Sequence, residues 1–128
     1  MLGDRVAIAT VAVKDLGTAR GFYEDKLGLQ PIQPESHGVI RYKTGGSSLL
    51  VYTSQFAGTN EATSVTWSVG KDFDDIVRSL QSKGVPFEHY DGLPGLAREG
   101  DVHRAGDLKL AWFKDPDGNI HHLISMEP

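Results

Sequence analysis

No cysteine occurs among the 128 residues. Its absence excludes thiolate metal sites, a cysteine nucleophile and disulfide stapling together, and points to a reducing, cytoplasmic setting. Long apolar runs are missing too: none approaches the roughly 20 residues of a membrane-spanning helix, and Met1-Leu2-Gly3-Asp4-Arg5 is not a basic segment leading into an apolar one. Neither a membrane partner nor a secretory signal is expected. Basic clusters are equally absent, because 13 Lys and Arg are scattered among 17 Asp and Glu for a net charge of −4. Nucleic acid is therefore excluded as an expected partner. Also lacking are a Gly-x-Ser-x-Gly elbow, a Gly-x-x-x-x-Gly-Lys phosphate loop and a dinucleotide fingerprint opening a helix.

What is present is ordinary globular material, 39% hydrophobic and 23% charged. A chain of this length buries about two thirds of the surface that it exposes when unfolded, enough for one core without a staple. A single domain over residues 1–128 is expected.

Residues 6–13 alternate small and β-branched side chains and read as a strand covered on both faces. Asp15 stands where an N-cap belongs, and Leu16, Ala19, Phe22, Tyr23 and Leu27 form a helical stripe that Gly28 ends. Residues 28–33, 37–43 and 47–53 are three further strand candidates separated by turn-type sequence, among them Gly45-Gly46. The first half thus reads βαβββ. After a polar linker, 54–63, the order repeats: a strand at 64–69, a helix capped by Asp72 with Phe73, Ile76, Val77 and Leu80 as its stripe, then strands at 85–90, 108–113 and 119–124. The last two flank Asp115-Pro116-Asp117-Gly118, a hairpin turn in which short acidic side chains are expected to bond local backbone.

The repeat can be registered. Val11-x-Val13 before the first helix recurs as Trp67-x-Val69 before the second, so Ile8 corresponds to Ser64. Gly46 to Val51 recurs as Gly118 to Leu123, so Leu50 corresponds to His122. Strand alternation then groups Ile8, Thr10, Leu50, Tyr52, Ser64, Thr66, Ser68 and His122 on one face, a mixture of apolar wall and hydroxyl groups suited to a small, partly apolar molecule or to core packing. By the same parity His121 faces away as a structural or exposed residue, and Trp67 packs under a helix.

These segments, above all Val11-Ala12-Val13-Lys14-Asp15-Leu16, Phe22-Tyr23-Glu24-Asp25-Lys26-Leu27-Gly28-Leu29 and Phe113-Lys114-Asp115-Pro116-Asp117-Gly118-Asn119, resemble the vicinal oxygen chelate superfamily of glyoxalase I, extradiol dioxygenases and bleomycin-resistance proteins. The resemblance covers nearly the whole chain. It implies an α+β fold in which two βαβββ modules, here about 5–53 and 64–126, form a partly closed sheet around a cavity with the helices outside. It also implies a homodimer. Metal-dependent members carry His, Gln or Glu ligands at positions that fall here at Ile8, Leu50, Ser64 and His122. Only His122 can coordinate, whereas a divalent ion needs about three such protein ligands, so no metal or other cofactor is expected.

The function implied is metal-independent binding of a small molecule, with Ile8, Thr10, Leu50, Tyr52, Ser64, Thr66, His103 and His122 as candidate ligand-binding residues. The alternative is a lyase, dioxygenase or epimerase that uses His122 as acid/base, or a displaced metal site recruiting His89 or His103 with Glu99 or Asp101. His89 and His103 otherwise read as surface histidines on a polar loop. That loop, residues 91–107, is long for a connection inside one domain. It reads either as a lid or as an ordered excursion burying Leu93, Leu96 and Val102.

Overall fold

A computed structural model describes residues 1–127. Its contacts divide into two units, the first comprising Met1–Asn60 with the turn Pro116–Asn119, the second Glu61–Asp115 with the residues from Ile120 onward. Each is a βαβββ-like module, and together they give the expected α+β class. No helix among the described residues is long and apolar enough to cross a membrane.

In the first unit, strand β1 (Ala9–Val13) lies parallel to β3 (Ser47–Thr53), which pairs antiparallel with β2 (Val39–Thr44), giving the order β1-β3-β2. Alternation decides what each strand buries. Val11, Val13, Ile40, Tyr42, Leu49 and Val51 are closed to solvent, while Thr10 and Arg41 on the opposite parity are exposed. Only one face of β1 is thus fully covered, not both, and residues 6–8 lie outside the strand.

Helix α1 (Leu16–Arg20) runs without a break into a π-helical turn, Gly21–Lys26. Asp15 caps it as expected, accepting the Thr18 N–H at 2.8 Å. Ala19, Phe22 and Tyr23 are the buried stripe. The strand expected at 28–33 is reduced to one bridge, Pro31 to Tyr42, because proline has no N–H to give a ladder. Backbone bonds from Ile32 to Arg41 and from Lys43 to Gln30 still hold the segment beside β2.

The turn Pro116–Asn119 belongs to this unit through its side chains. Asp117 Oδ1 accepts the Lys14 N–H at 3.1 Å, a bond far from local, and Asn119 Nδ2 donates to the Ala12 carbonyl at 2.7 Å. Asn119 is buried. Replacing it with alanine leaves that carbonyl unsatisfied, so Asn119→Ala is expected to lower stability by about 1–3 kcal/mol. The measurement is a drop in the urea midpoint at unchanged slope.

The second unit holds a six-stranded sheet. Strand β4 (Thr63–Ser68) lies parallel to β9 (Ile120–Ile124), followed in order by β8 (Leu108–Lys114), β7 (Val102–Ala105) and β6 (Ala97–Glu99), and β5 (Phe87–Glu88) pairs with β8. Helix α2 (Phe73–Ser82) buries Phe73, Val77 and Leu80. Asp72 occupies its N-cap but makes no capping bond, because a 3-10 turn, Gly70–Asp72, leads straight into the helix.

Residues 91–107 are not one long loop. They contain the hairpin β6–β7, which extends the sheet. Its connections are the two-residue loops Gly100-Asp101, between paired Glu99 and Val102, and Gly106-Asp107, between paired Ala105 and Leu108. Both glycines sit at positive φ (63° and 61°), the first-position geometry of a type II′ turn that twists with its strands.

Candidate functional site

The second unit's sheet presents two adjacent rows of side chains on one face. Thr66, His122 and Trp112 are opposed across β4, β9 and β8, and Ser68, Ile124, Leu110 and His103 are opposed across β4, β9, β8 and β7. Leu110, Trp112 and Ile120 are the buried cluster of this face, with Tyr90, Leu96, Ala105 and Ile124 packed against it.

Trp112 is the hub. Its ring lies flat on His122 (4.5 Å between centroids, 6° between planes) and meets His103 at 4.9 Å and Tyr90 at 5.2 Å, both edge to face. Beside it is a hollow of about 260 Å³ lined by Glu61, Thr63, Tyr90, Leu93, Trp112 and Ile120. Apolar and aromatic walls of this kind, with few polar groups, are what small-molecule sites are made of.

Burial lowers the pKa of both histidines. His103 is fully buried, not a surface residue of a polar loop. Burial, then repulsion from Arg98, pushes its pKa down. Its Nε2 accepts the Tyr90 backbone N–H at 2.9 Å, so the ring proton resides on Nδ1, which has no partner of hydrogen-bonding geometry. His122 is half-buried, and its pKa is likewise lowered by burial. Its Nε2 is withdrawn from solvent and unpartnered.

On the other face of the sheet, His121 is completely buried between Phe113, stacked at 5.0 Å, and Trp67, stacked at 6.1 Å. The Trp67 indole N–H donates to its Nδ1 at 3.0 Å. An indole nitrogen can only donate, so His121 carries its proton on Nε2. Burial holds its pKa down to about 4. This residue is structural, and Trp67 is engaged by it.

The candidate residues named from the sequence divide between the units. Ser64, Thr66, His103 and His122 are in the second unit, and Ile8, Thr10, Leu50 and Tyr52 in the first. Thr66 stands opposite His122, whereas Ser64 sits where the β4–β9 register shifts. Thr10 stands opposite Leu50, and Tyr52 and Ile8 are 38% and 36% exposed. His89 and Asp101 are paired with each other (Nε2 to Oδ1, 2.7 Å), and Gln81 donates to the second oxygen of that carboxylate.

Sequence reasoning missed Tyr90, Leu93, Trp112 and Glu61 as hollow-lining residues. The available signal was parity. Trp112 alternates with Leu110 and Lys114 in an apolar strand and stands opposite His122 once the hairpin is closed. A further depression of about 330 Å³ in the first unit is lined by Lys14, Thr53, Ser54 and Gln55 and lacks an aromatic wall.

The family model described as Glyoxalase/Bleomycin resistance protein/Dioxygenase superfamily matches residues 5–123. Among solved structures, the glyoxalase family protein from Enterococcus faecalis aligns with a TM-score of 0.72 at 18% identity, covering 97% of this chain and 99% of that one. Oxidase ChaP-H2 aligns at 0.71 with 22% identity, covering 98% and 95%. The fosfomycin resistance protein FosX from Listeria monocytogenes aligns at 0.68 with 17% identity, covering 100% and 94%. At these identities the likeness is one of fold. No curated protein matches the sequence.

Proposed function

Because the chain belongs to the glyoxalase/bleomycin resistance protein/dioxygenase superfamily, we propose that it binds a small, partly apolar molecule without a metal, in the hollow beside Trp112. The observation that carries this reading is the wall itself: an indole, a phenol, Leu93 and Ile120 around about 260 Å³. A flat apolar body placed there exchanges water for ring contact, at roughly 25 cal/mol per Å² of apolar surface covered.

Metal independence rests on donor chemistry. The four positions at which metal-dependent relatives carry ligands hold Ile8, Leu50, Ser64 and His122 here, one imidazole and one hydroxyl in all. That set does not fit a divalent ion, which takes about three nitrogen or carboxylate ligands. Among the described residues no three of His, Asp and Glu come together to replace it. His122 then serves the site by backing the Trp112 ring, with Thr66 beside it.

A thermal-shift screen against aromatic metabolites, run with and without chelator, tests the reading. A true ligand should raise the midpoint equally in both series, since binding to the native state adds RT ln(1 + [L]/Kd), about 2.7 kcal/mol at a hundredfold excess over Kd. Shifts that appear only with an added divalent ion would overturn metal independence. A screen in which no aromatic compound stabilises the protein would overturn binding in the hollow.

A further inference from the structure

The hollow's charge is as informative as its shape. Glu61 is the one charged residue in its wall, and no lysine or arginine lines it. The Glu61 carboxylate is exposed and has no hydrogen bond or ion pair among the described residues. The cation that comes near, Lys114, is taken: its Nζ lies 3.2 Å from Glu88 Oε1. Both members of that pair act on the neighbouring Tyr90 phenol, Glu88 more strongly than Lys114. One unpaired carboxylate thus stands in the wall, and one ion pair acts on the Tyr90 ring.

We propose that the occupant of this hollow is a small organic cation, an alkylammonium or quaternary ammonium group attached to an apolar or aromatic body. The inference rests on the reading that the hollow binds a small molecule, and it names the chemical class. An anion would meet Glu61 with no basic group to offset the repulsion. A cation meets an unmatched carboxylate and π-electron systems that attract positive charge, while its apolar body covers Leu93 and Ile120. Neither attraction requires a hydrogen-bond donor from the protein, which suits a wall without a basic side chain.

Isothermal titration with three probes of similar size tests the class: benzyltrimethylammonium, benzyl alcohol and benzoate, at low and at high ionic strength. The ammonium is expected to bind about fivefold more tightly than the alcohol at low salt, and benzoate most weakly. Added salt should shrink the advantage. Glu61→Gln should cut the ammonium's advantage over the alcohol to the part that the aromatic rings supply and remove most of its salt dependence, and an exposed side chain makes that variant safe for folding. If the alcohol or benzoate binds as tightly as the ammonium, or if Glu61→Gln leaves the preference intact, the cation proposal is overturned and binding in the hollow stands. If none of the three binds and the aromatic screen is also blank, both readings are overturned together.

Discussion

Acidification from pH 6.5 to pH 4 is expected to remove about 3 kcal/mol of folding stability through His121 alone. The imidazole titrates near 6.5 in the unfolded chain but only at about 4 in the fold, where burial between Trp67 and Phe113 opposes the charge. Between those values the unfolded state binds more protons than the folded one, so stability rises with pH. The contribution is whole above pH 6.5 and is lost as pH falls through the window to about 4. His103 and His122, also lowered by burial, push in the same direction. The lowered carboxylates Asp15, Asp74, Asp91 and Asp101 lose their contribution chiefly below the ordinary 3.8 and add to the loss only at the acid edge of this window, equally in any His121 variant.

Urea unfolding at a series of pH values, for the natural chain and for His121→Asn, isolates the effect. The asparagine amide oxygen can accept the Trp67 N–H but cannot be protonated in this range. The variant should lose about 3 kcal/mol less between pH 6.5 and 4. Parallel pH profiles for the two proteins would show that His121 is not held neutral by burial.

The second large effect is expected at Trp112. Its ring is 9% exposed and touches His103, His122 and Tyr90, so Trp112→Ala should cost about 3–5 kcal/mol. The same truncation takes away one wall of the hollow, so any aromatic ligand found in the screen should lose most of its affinity. It also uncovers the face of the His122 ring on which the indole lies, and the His122 pKa, followed by NMR, should return upward toward 6.5 as water reaches that face. Trp112→Phe, which keeps a ring at the position, separates loss of the wall from loss of the fold. A truncation that costs under about 1 kcal/mol would contradict the packing described.

Much of this was legible from residue pattern. Asp15 and the Leu16-to-Tyr23 stripe announced the first helix, and Phe73, Val77 and Leu80 the second. Asp115-Pro116-Asp117-Gly118 announced the last hairpin, between β8 and β9. What failed has local physical causes. Pro31 withdrew a donor from a segment whose hydropathy read as a strand. Gly100-Asp101 and Gly106-Asp107 are two-residue hairpin signals, obscured because the strands that lead into them are only three and four residues long.

The site was harder to read, since burial is a tertiary property. Nothing in Val102-His103-Arg104 says that the histidine is closed to solvent while the arginine beside it is exposed. The position of Trp112 in the sequence likewise does not announce that Tyr90 and Leu93 will border the same hollow. His122 stood out as an imidazole, but its companions turned out to be rings rather than ligands.

The bonds from Asp117 to Lys14 and from Asn119 to Ala12 join residues 103 and 107 apart in the chain. Closing a loop of that length carries an entropic term of roughly 4 kcal/mol, against which two hydrogen bonds alone offer little. On a ribosome the β1 backbone must therefore wait, its Ala12 carbonyl served by water, until residue 119 has been made and β8 and β9 can pair across the turn. The module that comes first in the sequence is thus tied off by a turn that comes late in it.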